Sequence, residues 1–432
     1  MKNFRSYDRS QRLLLPLDLN EWVADDDLAH FIVEAVERVD MHAFKVSRTG
    51  SGKAQYHPRM MLGLLVYCYA NGFFSSRKIE QATYRNVSVR FIAANTHPDH
   101  DTIAKFRRDN ATAFKTAFAQ ILLLAKELNI LKVGMVSIDG TKIDANASKI
   151  KSLRHDRVEV LRAKLEADIA ELVAKAQAAD SVDISDGLSL PDEIIRRQNL
   201  KDKLDTAAKR LEEAAKNDGD DDNNSDNPGK DSTQPKADKQ TNLTDPDSAI
   251  MRKSSRHEYR QAYNAQAIVD ADGSALILDT NVVSTSNDRH EFDPLVGHLC
   301  DSVGKPTTLL ADAGYAGEKI VLALEARNIE PLISIARQQV ERPYDFRPPK
   351  KTTKPPPKIT APWRIAMQEK LQTDEAKNKY RKRKQTVEPV FGIIKSVLGF
   401  TRFHLRGIEN VKNEWTLIAL AHNCKRLSKL VA

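Results

Sequence analysis

Two apolar runs, each leading directly into an aspartate, constrain most strongly what this chain can fold into. The run from Val133 to Ile138 precedes Asp139, and the run Thr308–Ala311 precedes Asp312. Short apolar runs bounded by turn residues are typical of buried strands. Open α/β sheets bind their ligands at the carboxyl ends of strands. The pattern therefore predicts an α/β domain in which strands present carboxylates to a site.

The same acids also have ordinary structural interpretations. Asp139 is followed by glycine, and Asp-Gly is the pair most typical of a hairpin turn. Asp312 has the position of a helix cap. Glu388, in a basic helical segment, is four residues after Lys384 and is suited to an ion pair with it. Three rival carboxylates occur near the same strands: Asp144, Asp270 and Asp279. Spacing and composition do not choose among these interpretations.

The composition favours an anionic partner. The chain has 432 residues, 41% of them hydrophobic, and a formal net charge of +8. At ~150 residues per domain it has room for two or three domains, and nucleic acid is the commonest partner of a basic protein. The three cysteines are far apart and form neither a zinc pattern nor a disulfide framework. With no apolar signal core and no ~18-residue apolar run, we expect a cytoplasmic protein without a membrane span.

The N-terminal third has helical periodicity. Phe106 lies in a basic segment in which Arg107 and Arg108 are predicted to point outward, and Asp101 or Thr102 is predicted to cap the helix. Short helices in series with a basic last member suggest a helix-turn-helix-like module that contacts DNA. The alternative is an ordinary helical bundle with a solvated basic face. The apolar positions that carry the periodicity at its start are Leu28, Phe31, Ile32, Val36 and Val39.

An insertion is predicted between the strands. Residues 150–215 contain two amphipathic stretches, the second starting near Pro191, and are expected to form an antiparallel helical hairpin. Residues 216–244 are almost without hydrophobic side chains and are expected to be a disordered linker.

Strands and helices alternate in the rest of the chain. Asp272-Gly273 between two apolar runs predicts a hairpin. A helix is predicted near Phe292–Cys300, and another follows Asp312 and ends near Arg327. A strand is predicted at Glu330–Ile335. A segment rich in proline and lysine, 342–358, is expected to be a linker or a loop ordered by DNA, and helices follow from Asp374.

Taken together, these segments resemble the DDE transposases of bacterial insertion sequences. SIDGTKIDANASK resembles the first catalytic motif, LLADAGYAGEK the second, and VEPVFGIIKSVLGFTRFHLRGIENVKNEW the third. The three motifs assign the catalytic carboxylates to Asp139, Asp312 and Glu388. FRSYDRSQRLLLP, QYHPRMMLGLLVYCYANGFFSSRKIE and HPDHDTIAKFRR resemble the helical N-terminal domain of this family.

The resemblance implies a fold with three parts. A helical DNA-binding domain covers 1–131. A ribonuclease-H-like catalytic domain, with a mixed sheet flanked by helices, covers 132–149 and 245–432. The helical hairpin and the linker interrupt this domain. The carboxylates would hold two Mg²⁺ or Mn²⁺ ions, since three acids cannot share a site unless cations neutralise them. Such ions activate a water or a 3′-hydroxyl and stabilise the leaving oxygen.

The third motif departs from the family pattern, which often has tyrosine seven and arginine four positions before the glutamate and lysine seven after it. Lys395 fits. Arg381 and Lys384 occupy the other two positions, while Tyr380 and Arg383 lie one residue earlier. Cations are expected to hold the DNA backbone. The predicted DNA-binding residues are Arg107, Arg108, Lys142, Arg381, Arg383, Lys384 and Lys395.

The implied function is metal-dependent cleavage at the ends of an insertion sequence and strand transfer into target DNA. The partners would be terminal inverted repeats and target DNA, bound by a homodimer or larger assembly at the nucleoid. Three alternatives remain: a nuclease of the same fold, a catalytically inactive DNA-binding protein derived from a transposase, and a coiled-coil scaffold in which the aspartates have no role.

Overall fold

This computed structural model of the chain describes residues 18–46, 55–178, 190–219, 240–252, 258–285, 303–335 and 361–431. The chain divides into two compact units. Unit 1 comprises Met1–Leu124 and Leu420–Ala432, and unit 2 comprises Ala125–Ala419. Among the described residues, no helix combines the length and the apolar character that a membrane span requires.

The chain before the first strand is helical, as predicted. Ser75 caps the third helix, where its hydroxyl accepts a hydrogen bond from the amide of Lys78. The cap of the basic fifth helix is Asp99, and the prediction of Asp101 or Thr102 is wrong. Asp99 accepts from the Thr102 amide at 2.7 Å. The helices are α1 Leu28–Glu37, α2 Pro58–Ala70, α3 Ser76–Arg85, α4 Val87–Ile92, α5 His100–Asp109 and α6 Ala111–Glu127.

Helix α2 is the centre of the core of unit 1. Its residues from Met61 to Ala70 are all buried, because a helix that is apolar on every face is stable only when other elements surround it. Helices α1 and α4 pack against it.

Unit 2 is built on a six-stranded mixed sheet. Strand β1 lies between β5, which is antiparallel to it, and β7, which is parallel, and β8 continues the sheet beyond β7. Strands β4 and β6 both pair with β5. The predicted hairpin at Asp272-Gly273 joins β5 and β6. The strands of this sheet are β1 Met135–Asp144, β4 Ala249–Met251, β5 Arg260–Asp270, β6 Ile277–Val283, β7 Thr308–Ala311 and β8 Glu330–Ile333.

Helices flank this sheet. The predicted helix after Asp312 is present as α9. Helix α10 was not predicted, although proline in its first turn is a usual helix-start signal. Trp415 is fully buried among aromatic rings, and its indole donates to the carbonyl of Gln266 at 2.8 Å. These helices are α9 Glu318–Ala326, α10 Pro362–Gln372, α11 Asp374–Gly392 and α12 Ile408–Val431.

The insertion contains two long helices, α7 His155–Ala178 and α8 Leu190–Gly219. They run antiparallel, because Arg162 pairs with Asp205 at 2.7 Å and Arg197 pairs with Asp168 at 3.0 Å. Their apolar side chains pack against each other, with Val158, Leu165, Leu204 and Ala208 at the centre.

The boundaries of the insertion differ from the prediction. Helix α8 continues to Gly219, and a short strand, β3 Gln240–Asn242, pairs with β2 Ser152–Arg154 at the base of the hairpin. The linker prediction for 216–244 is therefore wrong at both of its ends. Its middle lies outside the described residues. So do the predicted helix near Phe292–Cys300, the proline-rich segment 342–358 and the N-terminal segment FRSYDRSQRLLLP.

Candidate active site

Strand β1 continues through Asp139. Asp139 pairs with Ala267 of β5, and the pairing proceeds without interruption to Asp144. The turn interpretation of Asp139 is thereby excluded. The prediction that the strand ends at Asp139 is also wrong, because the long antiparallel neighbour β5 keeps the backbone of β1 hydrogen-bonded beyond that point.

The parallel neighbour of β1 ends beside Asp139. Ser137 is the last residue of β1 that pairs with β7, opposite Leu310. Asp312 is the first residue after β7, and continuing the same register by two residues would bring it opposite Asp139. Because side chains alternate between faces along a strand, both aspartates share the face of Ser137 and Leu310. Leu310 packs against Ala376 of α11, so α11 covers this face.

Helix α11 contacts the sheet where the aspartates lie. The hydroxyl of Tyr380 donates to the carbonyl of Ala311 at 3.1 Å. Three residues later, Arg383 points at Asp139, with 3.4 Å between Nη1 and Oδ2. Its other terminal nitrogen is 3.6 Å from Oε1 of Glu388. One guanidinium therefore bridges two of the three predicted catalytic carboxylates.

The three charged side chains of this bridge differ in how far they are exposed to solvent. Arg383 is only 8% exposed, and the Asp139 and Glu388 side chains are 20% and 53% exposed. Arg383 was predicted to contact DNA, and its position instead makes it the counter-ion of the acids. An arginine five residues before a glutamate is not at the usual three- or four-residue spacing of helical ion pairs, so local spacing did not predict this contact.

Asp312 does act as a cap. Its Oδ1 accepts a hydrogen bond from the amide of Gly314 at 2.8 Å, at the start of the short 3-10 helix Ala313–Tyr315. Burial raises the pKa of Tyr380 by more than the positive charge of Arg383 lowers it, and the negative charge of Asp312 also raises it. Tyr380 therefore remains a protonated hydrogen-bond donor beside the end of β7.

Helix α11 continues past Glu388 to Gly392 and then changes geometry. Pro389 lacks the amide hydrogen that an α-helix needs, and the chain continues as a π-helix, Ile393–Val397. Such segments are frequent at functional sites. Lys395 lies in it and donates a hydrogen bond to the hydroxyl of Thr141 on β1. Lys142 instead donates to the carbonyl of Arg252 at 3.0 Å.

The remaining predicted cations separate into exposed and buried groups. Arg381, Lys384 and Arg108 are exposed, as a role in DNA binding requires. Arg107 is buried, and the prediction that it points outward is wrong. Its Nη1 donates to the hydroxyl of Tyr69 at 2.7 Å and to the carbonyl of Phe74 at 3.1 Å, which satisfies two buried acceptors of unit 1.

Asp144 is separate from the acids of the site. Five residues along β1 place it roughly 16 Å from Asp139. It is 9% exposed and pairs with Arg260 at 3.3 Å. Its amide and carbonyl bond to the backbone of Thr401 and Phe403. Asp144 therefore joins β1 to the segment before α12.

The described residues contain no cluster of three or more acidic, histidine or cysteine side chains arranged to hold a metal ion. The chemistry of the donors nonetheless fits a hard cation. Asp139 and Glu388 lie on two sides of the Arg383 guanidinium. Asp312 directly follows β7, the parallel neighbour of β1. Carboxylate oxygens are the ligands that Mg²⁺ prefers.

We expect Arg383→Gln to destabilise the metal-free protein, because Asp139 and Glu388 would then face each other without a counter-ion. The expected loss in the free energy of unfolding is about 1–3 kcal/mol, reduced from that of a fully buried pair because Glu388 is half exposed. Urea denaturation in EDTA measures it. Lys384→Gln, on the exposed side of the same helix, should change stability little. Equal stabilities of the two variants would contradict the bridging role.

Comparison with protein families identifies both parts of the chain. Residues 231–424 match the Transposase DDE domain, and residues 17–109 match the Transposase domain (DUF772). Two separate segments of the chain are therefore similar to transposase domains. The DDE domain implies a ribonuclease-H-like fold, so the predicted family and fold class are confirmed. Comparison with curated proteins gave no match, and neither did comparison with solved structures.

The DDE match includes Asp312 and Glu388 but begins well after β1. Asp139 is therefore connected to the DDE domain by geometry, through its register with β7 and its ion pair with Arg383. The matches support a nucleic-acid-processing enzyme that acts in transposition.

Proposed function

We propose that this protein cuts DNA at the ends of its own mobile element and joins the freed 3′ ends to target DNA. The observation that carries the proposal is the buried Arg383 guanidinium of α11, which lies between Asp139 of β1 and Glu388 of α11. Arg383, Glu388 and Asp312, at the end of β7, all lie within the match to the DDE domain. Transposase domains at both ends of the chain support it.

Asp139, Asp312 and Glu388 would hold the divalent cations that the DDE family generally uses. When bound, these cations activate the attacking oxygen and stabilise the leaving oxygen at phosphorus. Arg383 limits the repulsion between two of the acids. Arg381 and Lys384 are exposed on the same helix and would hold the phosphate backbone.

Both chemical steps are displacements at phosphorus. In cleavage, the oxygen of a water attacks, the bond from phosphorus to the 3′ oxygen breaks, and the element end keeps a 3′-hydroxyl. In joining, that hydroxyl attacks a target phosphorus and releases a target 3′-hydroxyl. One phosphodiester forms for each one broken, so joining needs no external energy source.

Two element ends must be held together, so we propose a dimer or larger assembly on DNA. The central apolar side chains of the insertion do not support this proposal, because Val158, Leu165, Leu204 and Ala208 pack inside the α7–α8 hairpin. Light scattering with and without end DNA measures the assembly.

The function is tested with duplexes that carry an exposed 3′-hydroxyl at the element end, supercoiled target plasmid and Mg²⁺ or Mn²⁺. Joined products would support a transposase. Cleavage without joining would favour the nuclease alternative. Binding without either reaction would favour an inactive DNA-binding protein.

A further inference from the structure

The exposed face of α3 is a candidate nucleic-acid surface whose residues were not among the predicted DNA-binding residues. Its exposed residues are Arg77, Lys78, Gln81, Tyr84 and Arg85. Three are cations and none is acidic. The one acid of the helix, Glu80, is directed to His100, with 2.8 Å between its carboxylate and the ring nitrogen. We call these five residues the α3 face.

The cations of this face differ from those on neighbouring helices. Lys105 of α5 pairs with Asp109 at 2.7 Å, and Arg59 of α2 pairs with Glu37 at 2.6 Å. In the described part of unit 1, no acid pairs with Arg77, Lys78 or Arg85. Their charge is therefore available to an external anion.

The side chains of the face also fit the edges of bases. Arginine and glutamine form paired hydrogen bonds with guanine and adenine in the major groove. From Arg77 to Arg85 the helix rises about 12 Å, close to the width of that groove. Tyr84 is 57% exposed, and its ring stacks on His97 with centroids 3.9 Å apart, which holds an aromatic surface at the edge of the face.

The burial of Arg107 weakens the more obvious candidate, the basic end of α5. Arg107 is bonded inside unit 1, so α5 keeps only Lys105 and Arg108 on its exposed side, together with Asp101. We infer that α3 is the helix that enters the major groove of duplex DNA at the element end. This inference rests on the proposed function for the identity of that DNA.

The test compares two full-length variants that each lose two positive charges. Arg77→Gln/Arg85→Gln removes cations from the α3 face, and Lys105→Gln/Arg108→Gln removes them from α5. Fluorescence anisotropy measures binding to a labelled duplex of the DNA flanking the gene, to a scrambled duplex and to a single strand, over a series of salt concentrations. Thermal melting confirms that both variants are folded, as expected for exposed positions.

We expect the α3 variant to bind the flanking duplex at least about tenfold more weakly, with a slope of log affinity against log salt smaller by about 2. The α5 variant should change binding far less, so the contact with DNA that the sequence predicted for Arg108 is expected to be minor. Gln81→Ala should reduce the preference for the flanking duplex over the scrambled one by about tenfold.

Equal losses of affinity for the flanking duplex in the α3 and α5 double variants would overturn the inference, since only the net charge would then matter. The inference would also be overturned if the wild-type protein bound the single strand more tightly than the duplex. In both cases the proposed function would stand. If the wild-type chain binds no DNA at all, the inference and the proposed function fail together.

Discussion

Replacement of Asp139 by asparagine is expected to abolish cleavage of end DNA while binding is retained. Asparagine keeps the size of the side chain and removes the charge that a divalent cation requires. The expected loss in the single-turnover rate is on the order of a thousandfold or more. Asp312→Asn and Glu388→Gln should behave alike, and a double variant should lose little more than a single one, because residues that act as one unit are not additive.

Asp144→Asn is the matched control, because it removes an acid from the same strand. Asp144 pairs with Arg260 and makes backbone contacts away from the site. The Asp144→Asn variant should therefore cleave end DNA at a rate close to that of the wild type. A larger loss for Asp144→Asn than for Asp139→Asn would show that the wrong acid of β1 has been assigned to catalysis.

Replacement of Arg107 by alanine is expected to destabilise unit 1 by about 2–4 kcal/mol. The change removes both hydrogen bonds that its guanidinium donates and leaves the Tyr69 hydroxyl and the Phe74 carbonyl buried without that donor. Hydrogen exchange measures the effect by segment. Amides of α2 and α5 should exchange faster, and those of β5 should be unchanged.

Arg108→Ala tests the alternative that Arg107 acts through its charge. Arg108 is the exposed neighbour on α5 and should change the stability by less than about 0.5 kcal/mol. If Arg107→Ala left exchange in α2 and α5 unchanged but weakened DNA binding, the buried role would be contradicted.

The sequence predicted the positions of helices and strands better than the directions in which their side chains point. The strand Thr308–Ala311 was predicted to the residue, because a short apolar run ends at a turn. The position of α5 was also predicted, but the inward direction of Arg107 was not. Arginine is rarely buried unless it has partners, and its partners here lie more than thirty residues earlier in the chain.

In the candidate site, too, the sequence predicted the individual elements but not how they come together. Lys395 was singled out from its spacing to Glu388, and its hydroxyl partner Thr141 lies more than two hundred residues away. The apolar runs predicted β1 and β7, but no local pattern could show that the two strands pair in parallel, with Ser137 opposite Leu310. Nor could it show that β1 continues beyond Asp139, since that depends on the length of its partner β5.

The most direct test of the central claim is to map the metal on the protein itself. Fe²⁺ would replace Mg²⁺ in the full-length protein, and ascorbate with peroxide would then cut the backbone next to the bound ion. Mass spectrometry would locate the cuts. The predicted result is backbone cleavage at three places: in β1 near Asp139, after β7 near Asp312 and in α11 near Glu388. Excess Mg²⁺ should suppress the cleavage at all three. Suppressible cuts confined to other segments would contradict the assignment of these three carboxylates as one metal site.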